Sequence, residues 1–195
     1  MLRGLRLPLT LPAPWLSAFP ELNVRTYVTV GGRPGIYFLS LDAASSLAVF
    51  GARRTYRLPY FQAAMSVERR GGEVVYSSQR KSPDGEPAGF RARYRPRGPS
   101  FTAEASSLEY FLTERYRLYT LDGHRRVHLA DVHHPPWPLQ AAEAELERNT
   151  MARPLGIDLS GEPLLHFAER QDALIWPLRR VSPSGAGRVK KAIEA

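Results

Sequence analysis

The chain has 195 residues, of which 43% are hydrophobic and 24% charged, and this suits one soluble domain with a sizeable core. It contains no cysteine, which excludes disulfides and thiolate chemistry and fits the reducing cytoplasm. No apolar run approaches the roughly 20 residues that span a bilayer, so we expect no membrane association. Pro8, Pro12 and Pro14 interrupt the apolar N-terminal stretch, which therefore does not predict export, and we expect a cytoplasmic protein.

The net charge of +8 comes almost entirely from arginine, because only three of the 27 basic residues are lysines. The arginines are scattered along the chain, apart from a dense patch between Arg91 and Arg97. Nucleic-acid-binding proteins usually concentrate positive charge on one face with aromatic residues for stacking, so we do not expect nucleic acid as a partner. The patch is either a solvated outer face of a strand or a surface that recruits an acidic partner.

The first half of the chain predicts strands joined by tight turns. Residues 21–28 alternate polar and apolar with the period of two that a strand requires. Gly31-Gly32 then predicts a hairpin into a strand at residues 35–41. A short helix capped by Asp42, Ser45 or Ser46 should end near Arg54. Further strands are expected at residues 60–68, 72–81 and 89–94, with turns at Gly71-Gly72 and at residues 83–85.

The second half predicts one more helix and further strands. Ser106 or Ser107 should open a helix that runs to Glu114, and a hairpin should turn at Asp122-Gly123. Residues 139–151 stay ambiguous, because they alternate like a strand while their residue types favour a helix. The remaining predictions are strands at 116–120, 125–132, 164–168 and 173–178, and a disordered basic tail from residue 182.

This pattern of many short strands and few helices is typical of an α+β domain. We predict a single domain over residues 1–181, built on a large curved or closed antiparallel sheet.

Five ordered segments resemble the bacterial YqjF-like family (DUF2071), which is related to acetoacetate decarboxylase and has no settled function. They are residues 19–28 (FPELNVRTYV), 35–43 (GIYFLSLDA), 52–65 (ARRTYRLPYFQAAM), 107–119 (SLEYFLTERYRLY) and 133–140 (HHPPWPLQ). The resemblance extends over roughly residues 15–181 and implies a cone-shaped β-barrel. Family members generally carry some tens of residues before the first segment. The N-terminal strands are therefore expected to be missing here, or a homodimer covers the exposed edge.

Acetoacetate decarboxylase forms a Schiff base through one of two adjacent lysines. By resemblance, that pair falls at Tyr60 and Phe61, neither of which can form an imine. Lys81 is the one lysine inside the expected domain, and it ends a strand beside a polar turn, where solvent exposure is expected. We therefore do not expect Schiff-base decarboxylation.

Glu21, Asn23, Arg25 and Tyr27 share one face of the first predicted strand. This row either lines a ligand cavity or faces solvent, and the resemblance to related enzymes, which place a glutamate on an early strand facing the pocket, favours the cavity. Arg25 could then bind a carboxylate through two hydrogen bonds. In this interpretation Glu21 and Tyr60 are the catalytic candidates, as general base and acid.

Further ligand-binding candidates lie near the second helix and in the proline-rich segment. Arg115 and Tyr116 stand where the helix gives way to a strand, and Trp137 either covers the core or floors a pocket. A metal site is not expected, because adjacent His133 and His134 point to opposite faces of an extended segment. No cofactor fingerprint is present.

We therefore expect a cytoplasmic protein that binds a small, acidic organic ligand in a barrel cavity without a cofactor. An enzyme of the same fold that uses Glu21 and Tyr60 for acid–base chemistry is the first alternative. An interaction protein that uses the arginine patch is the second.

Overall fold

The computed structural model describes residues 5–6, 19–81 and 85–181. These residues form one sheet with two helices, α1 (Ser46–Thr55) and α2 (Leu108–Thr113), and a short 3₁₀ turn at Arg153–Leu155. The strands are β1 (Leu5–Arg6), β2 (Glu21–Val30), β3 (Arg33–Ala43), β4 (Tyr60–Arg70), β5 (Glu73–Arg80), β6 (Gly89–Phe101), β7 (Arg117–Leu121), β8 (Val127–His133), β9 (Leu139–Asn149), β10 (His166–Phe167), β11 (Ala173–Ile175) and β12 (Arg179–Arg180). Within these ranges, neither helix is long and apolar enough to cross a membrane. The expected tail from residue 182 lies outside the described residues.

The sheet follows the order β1-β11-β8-β7-β3-β4-β5-β6-β9-β10, with β2 added on β3 and β12 on β8. The prediction of a mostly-β fold with few helices is confirmed. A closed barrel is not confirmed, because β1 and β10 stand at opposite ends of this path and do not pair with each other. The sheet is mostly antiparallel, as predicted, but it also contains parallel pairs, since β3 runs parallel to both β4 and β7.

Two hairpins take the form that their glycines predicted. Gly31 and Gly32 have φ angles of 56° and 74° and join β2 to β3 in a two-residue turn. Gly71 and Gly72, at 55° and 85°, join β4 to β5 in the same way. Two successive positive φ angles give the turn whose twist matches antiparallel strands, and glycine adopts them at no steric cost.

The ambiguous segment at residues 139–151 is a strand up to Asn149. It pairs with β6, so that Glu145 stands opposite Arg93 and Glu143 opposite Arg95. On the outer face, four arginines of β6 form ion pairs with three glutamates of β9: Arg91, Arg93, Arg95 and Arg97 with Glu143, Glu145 and Glu147. Cross-strand pairing thus overrides helix propensity, and it largely neutralises the arginine patch.

Both helices begin at serines that the sequence offered as caps. The Ser45 hydroxyl accepts a hydrogen bond from the Ala48 backbone N–H, and Ser107 accepts one from the Tyr110 N–H. These bonds satisfy backbone donors that the first turn of a helix leaves unpaired. Of the other two candidate caps for α1, Ser46 is the first residue of the helix, and Asp42 lies inside β3 with its side chain fully buried.

Asp42 forms a buried ion pair with Arg80 at the end of β5. The Arg80 Nη2 atom lies 2.7 Å from Asp42 Oδ1, and Nε lies 3.1 Å from Oδ2. The guanidinium carbon of Arg80 also stands 4.0 Å from the ring centroid of Phe61, which is the register partner of Asp42 on β4. One side chain therefore links β3, β4 and β5 beside the core cluster that contains Leu41 and Leu118.

Replacing Arg80 with alanine should lower the free energy of unfolding by about 3–5 kcal/mol, because the Asp42 carboxylate would stay buried without its partner. Arg93→Ala is the matched control: it removes an exposed arginine from an ion pair and should cost about 0–1 kcal/mol. Urea denaturation of both variants against wild type measures the difference. An equal loss of unfolding free energy in the two variants would show that the buried Asp42–Arg80 pair stabilises the protein no more than an exposed ion pair does.

Candidate functional site

An open cavity of about 390 Å³ lies on the inner face of the sheet. Its lining is largely apolar and aromatic and includes one carboxyl group, that of Glu21, and one imidazole, that of His166. The lining residues are Pro20, Glu21, Val67, Tyr76, Phe90, Ala92, Tyr94, Trp137, Ala142, Ala144, Leu146, Leu165, His166, Phe167 and Ala168. This volume and this chemistry are typical of sites that enclose a small organic molecule.

Strands β6 and β9 build much of the cavity wall through their alternation. On β6, Phe90, Ala92 and Tyr94 face the cavity while the arginines between them face outward. On β9, Ala142 and Ala144 face inward while the glutamates form the outer ion pairs. Alanine at these inward positions leaves space that larger side chains would fill, so the cavity is a direct consequence of these small residues.

Glu21 opens β2 at one end of the cavity and is hydrogen-bonded to Tyr60, the first residue of β4. The Tyr60 hydroxyl donates to Glu21 Oε2 across 2.5 Å, and the Asn23 side chain also hydrogen-bonds this carboxyl group. Burial raises the pKa of Glu21 above its ordinary value of 4.5, against the opposing effect of these two hydrogen bonds. Burial, together with the charge and hydrogen bond of Glu21, also raises the pKa of Tyr60, which therefore stays a hydroxyl donor.

This arrangement can hold or move a proton at the cavity wall. A carboxyl group with a raised pKa can donate a hydrogen bond when protonated and accept one when ionised. Tyr60 fixes one of its oxygens, which keeps the group oriented. Pairs of this kind, with one group tuned by burial and a second group orienting it, occur both in binding sites and in acid–base catalysis.

Tyrosines that the sequence did not single out support this end of the cavity. The Tyr76 hydroxyl donates to the backbone carbonyl of Glu21 across 2.7 Å, and its ring meets Phe90 edge-on. Burial raises the pKa of both Tyr76 and Tyr94, so both remain uncharged. For Tyr94, the sequence signal is the alternation of apolar residues with arginines in β6, which identifies the inward face, whereas Tyr76 lies on β5, outside this pattern.

Of the remaining sequence candidates, Trp137 belongs to the cavity lining. Its backbone N–H donates to the buried carboxylate of Glu114, which also accepts a hydrogen bond from the Tyr116 hydroxyl. That hydrogen bond, with burial and the charge of Glu114, raises the pKa of Tyr116 to about 12. Tyr116 also stacks on His134, with ring centroids 4.6 Å apart. Tyr116 is thus part of a packed cluster beside Trp137 and is not in the cavity lining.

Arg25, Tyr27 and Arg115 meet at α2 and are likewise not among the residues that line the cavity. The Arg25 guanidinium and the Tyr27 hydroxyl both donate to the Leu112 carbonyl, over 3.1 and 3.0 Å. Arg115 lies over the ring of Phe111, with its guanidinium carbon 4.2 Å from the ring centroid. The four polar residues of β2 therefore have different surroundings. Glu21 lines the cavity with Asn23 hydrogen-bonded to it, whereas Arg25 and Tyr27 are hydrogen-bonded to α2.

Lys81 is exposed and its backbone N–H pairs with the Gln62 carbonyl. His133 is exposed whereas His134 is buried, as expected for neighbours in an extended segment. In the described part of the chain, no three His, Cys, Asp or Glu side chains are grouped closely enough to hold a metal ion.

The sequence matches the model of the DUF2071 family, described as an uncharacterized conserved protein, over residues 1–172. It is also 53% identical over 183 residues to the uncharacterized protein YqjF of Bacillus subtilis (strain 168), a match that covers 93% of this chain and 74% of YqjF. The chain belongs to the DUF2071 family. The family resemblance inferred from five segments is thereby confirmed.

Among solved structures, the fold of this DUF2071 protein is similar to that of acetoacetate decarboxylase. The enzyme from Legionella pneumophila superposes with a TM-score of 0.54 at 13% identity, over 84% of this chain and 67% of the enzyme. A second acetoacetate decarboxylase structure gives 0.52 at 14% identity, over 84% and 68% of the two chains. At such low identity the likeness establishes the fold alone.

Glu21→Gln should become relatively more stable against wild type as the pH rises. Above pH 4.5 the unfolded chain releases the Glu21 proton while the folded protein still holds it, because the pKa is raised in the folded state. The free energy of unfolding of the wild type therefore falls as the pH rises from 4.5 through the folded pKa. Glutamine does not titrate, so the variant does not lose stability in this way. Urea denaturation of both proteins between about pH 4.5 and about pH 8 measures it.

Glu145→Gln is the control, because Glu145 is exposed and belongs to the outer ion pairs. This variant should not become more stable relative to wild type over the same pH range. A stability difference between wild type and Glu21→Gln that stays constant, or that moves in favour of wild type, would contradict the raised pKa.

Proposed function

We propose that this protein binds a small organic molecule in the cavity, and that Glu21, oriented by Tyr60, forms a hydrogen bond with one polar group of that molecule. The observation that carries the proposal is a largely apolar, aromatic-lined space of about 390 Å³ with a single oriented carboxyl group in its wall. Apolar and aromatic walls supply affinity through burial, whereas one or two fixed polar groups supply specificity.

The polar group of the ligand is proposed to be uncharged, such as a carbonyl or hydroxyl. The lining residues supply neither a guanidinium nor an ammonium group to balance a carboxylate. Arg25, on which the expectation of an acidic ligand depended, is directed to the Leu112 carbonyl at α2. An anion inside the cavity would also lie close to Glu21, which disfavours it whenever that group is ionised.

Filling the cavity should abolish this binding without unfolding the protein. Ala144→Phe places an aromatic ring in the cavity, whereas Ala64→Phe adds the same ring at an exposed position of β4. Thermal unfolding with a panel of neutral aromatic ketones, phenols and short keto acids provides the measurement. A ligand present at about 100 times its Kd raises the free energy of unfolding by about 2.7 kcal/mol. Each kcal/mol raises the Tm of a domain of this size by roughly 2–4 °C.

We expect at least one neutral member of the panel to raise the Tm of wild type and Ala64→Phe and to leave that of Ala144→Phe unchanged. Stabilisation of all three proteins to the same extent would place binding elsewhere. A panel without any effect on wild type would count against the proposed ligand class.

The second candidate function is an enzyme of the same fold that uses Glu21 and Tyr60 for proton transfer. The short hydrogen bond between them favours it, because a general acid or base must be held within hydrogen-bonding reach of its partner. Imine chemistry does not fit this candidate, since Tyr60 stands where the resemblance to acetoacetate decarboxylase implies a lysine.

Borohydride treatment with short keto acids, read as intact-protein mass, should therefore give no covalent adduct. Reduction traps an imine only where an amine has attacked a carbonyl, and the exposed Lys81 lacks the desolvation that activates a lysine amine. An adduct that maps to Lys81 would restore the imine mechanism. Turnover of any panel compound that survives in Glu21→Gln would exclude Glu21 as the base.

A further inference from the structure

Two guanidinium groups meet where α2 ends against β2. The guanidinium carbons of Arg25 and Arg115 each lie 5.7 Å from the ring centroid of Tyr27. The Arg25 side chain donates a hydrogen bond to the carbonyl of Leu112. The Arg115 side chain donates one to the carbonyl of Glu114, two residues after Leu112. Both cations thus contact the same aromatic ring.

Neither arginine has an acidic partner among the described residues. This distinguishes them from Arg80, which is paired with Asp42, and from Arg179, which is paired with Asp131. The nearest acid in sequence, Glu114, is engaged elsewhere by the Trp137 N–H and the Tyr116 hydroxyl.

The donor groups of this pair are only partly satisfied. A guanidinium carries five N–H donors in a planar fork, and the two carbonyls account for one donor of each arginine. The Nε atom of Arg115 is buried and has no hydrogen-bond partner among the described residues. A buried donor without a partner is unfavourable, so the site lacks an acceptor.

The charges are also uncompensated. Burial, and to a smaller extent the charge of Arg25, lowers the pKa of Arg115, while the nearby tyrosines act in the opposite direction. Two like charges in a partly buried position repel each other, and an anion between them would reverse the sign of that interaction.

We propose that Arg25 and Arg115 form a binding site for an oxyanion, a carboxylate or a phosphate group. The planar forks of two arginines match the paired oxygens of such groups, and each guanidinium has N–H groups left to donate. The adjacent ring of Phe111, 47% exposed, would contact the apolar part of the molecule that carries the anion. This site is separate from the cavity, and its test does not depend on the proposed function.

A purely structural role makes a different prediction. If the two arginines serve only to hold the last carbonyls of α2, their replacement destabilises the protein, and oxyanions have no more effect than chloride. The test therefore has to measure anion binding as well as stability.

The experiment titrates sodium phosphate, and in a second arm sodium acetate, at an ionic strength held constant with sodium chloride. Thermal unfolding is followed for wild type, Arg25→Gln, Arg115→Gln and Arg33→Gln. Arg33 lies in the β2–β3 hairpin and is exposed, which makes it the matched control. The Nε–H resonance of Arg115 in wild type gives a direct second measurement that does not require any variant to fold.

We expect a saturable rise in Tm and a saturable shift of the Arg115 Nε–H resonance with phosphate, acetate or both, and the arm that responds identifies the oxyanion. Affinity should fall at least about tenfold in Arg25→Gln and Arg115→Gln and stay unchanged in Arg33→Gln. Ala144→Phe should bind the anion as wild type does, so failure of the cavity proposal leaves this result intact. Absence of any saturable effect beyond chloride, or equal effects in all variants, would overturn the proposal.

Discussion

Strand β3 depends on the buried ion pair between Asp42 and Arg80. Their side chains are 0% and 3% exposed, so each charge relies on the other rather than on water. Because Arg80 reaches from β5 across Phe61 of β4, the pair fixes three strands at the point where β4 begins. Tyr60 stands next to Phe61 there, and Ala43, next to Asp42, is the register partner of Glu21. The geometry of the candidate site therefore follows from an interaction that takes no part in its chemistry.

Glu21 and Asp42 show how two nearby acids acquire different roles. Asp42 has a guanidinium partner that makes several hydrogen bonds to it, and its carboxylate is fully used in holding strands together. Glu21 has a tyrosine and an asparagine instead, and burial raises its pKa. The acid that lacks a cationic partner is the one that lines the cavity, where it can hold or release a proton.

The alternation along β6 and β9 accounts for both faces of the sheet. Outward arginines and glutamates form a ladder that fixes the pairing of the two strands, since a slip by one residue would turn the charges inward. The same register turns Ala92 and Ala144 inward and so leaves the space that forms the cavity. Negative charge on β9 also explains why a patch that looks strongly basic in the sequence is mostly neutralised in the folded protein.

Local patterns in the sequence determined the hairpins at Gly31-Gly32 and Gly71-Gly72, the caps at Ser45 and Ser107, most strands, and the family. The hairpins, caps and strands depend on backbone preferences or on hydrogen bonds that reach only a few residues, so neighbours in the chain suffice, and the family followed from five short segments. Only the tertiary structure decided that residues 139–149 form a strand, that β3 has parallel neighbours, and that the sheet stays open. It also decided that Asp42 pairs with Arg80, that Tyr60 meets Glu21, and that Arg25 turns to α2 beside Arg115. The hydrogen bonds in these contacts join residues 38 to 87 positions apart, and their partners depend on strand order, which no local pattern encodes.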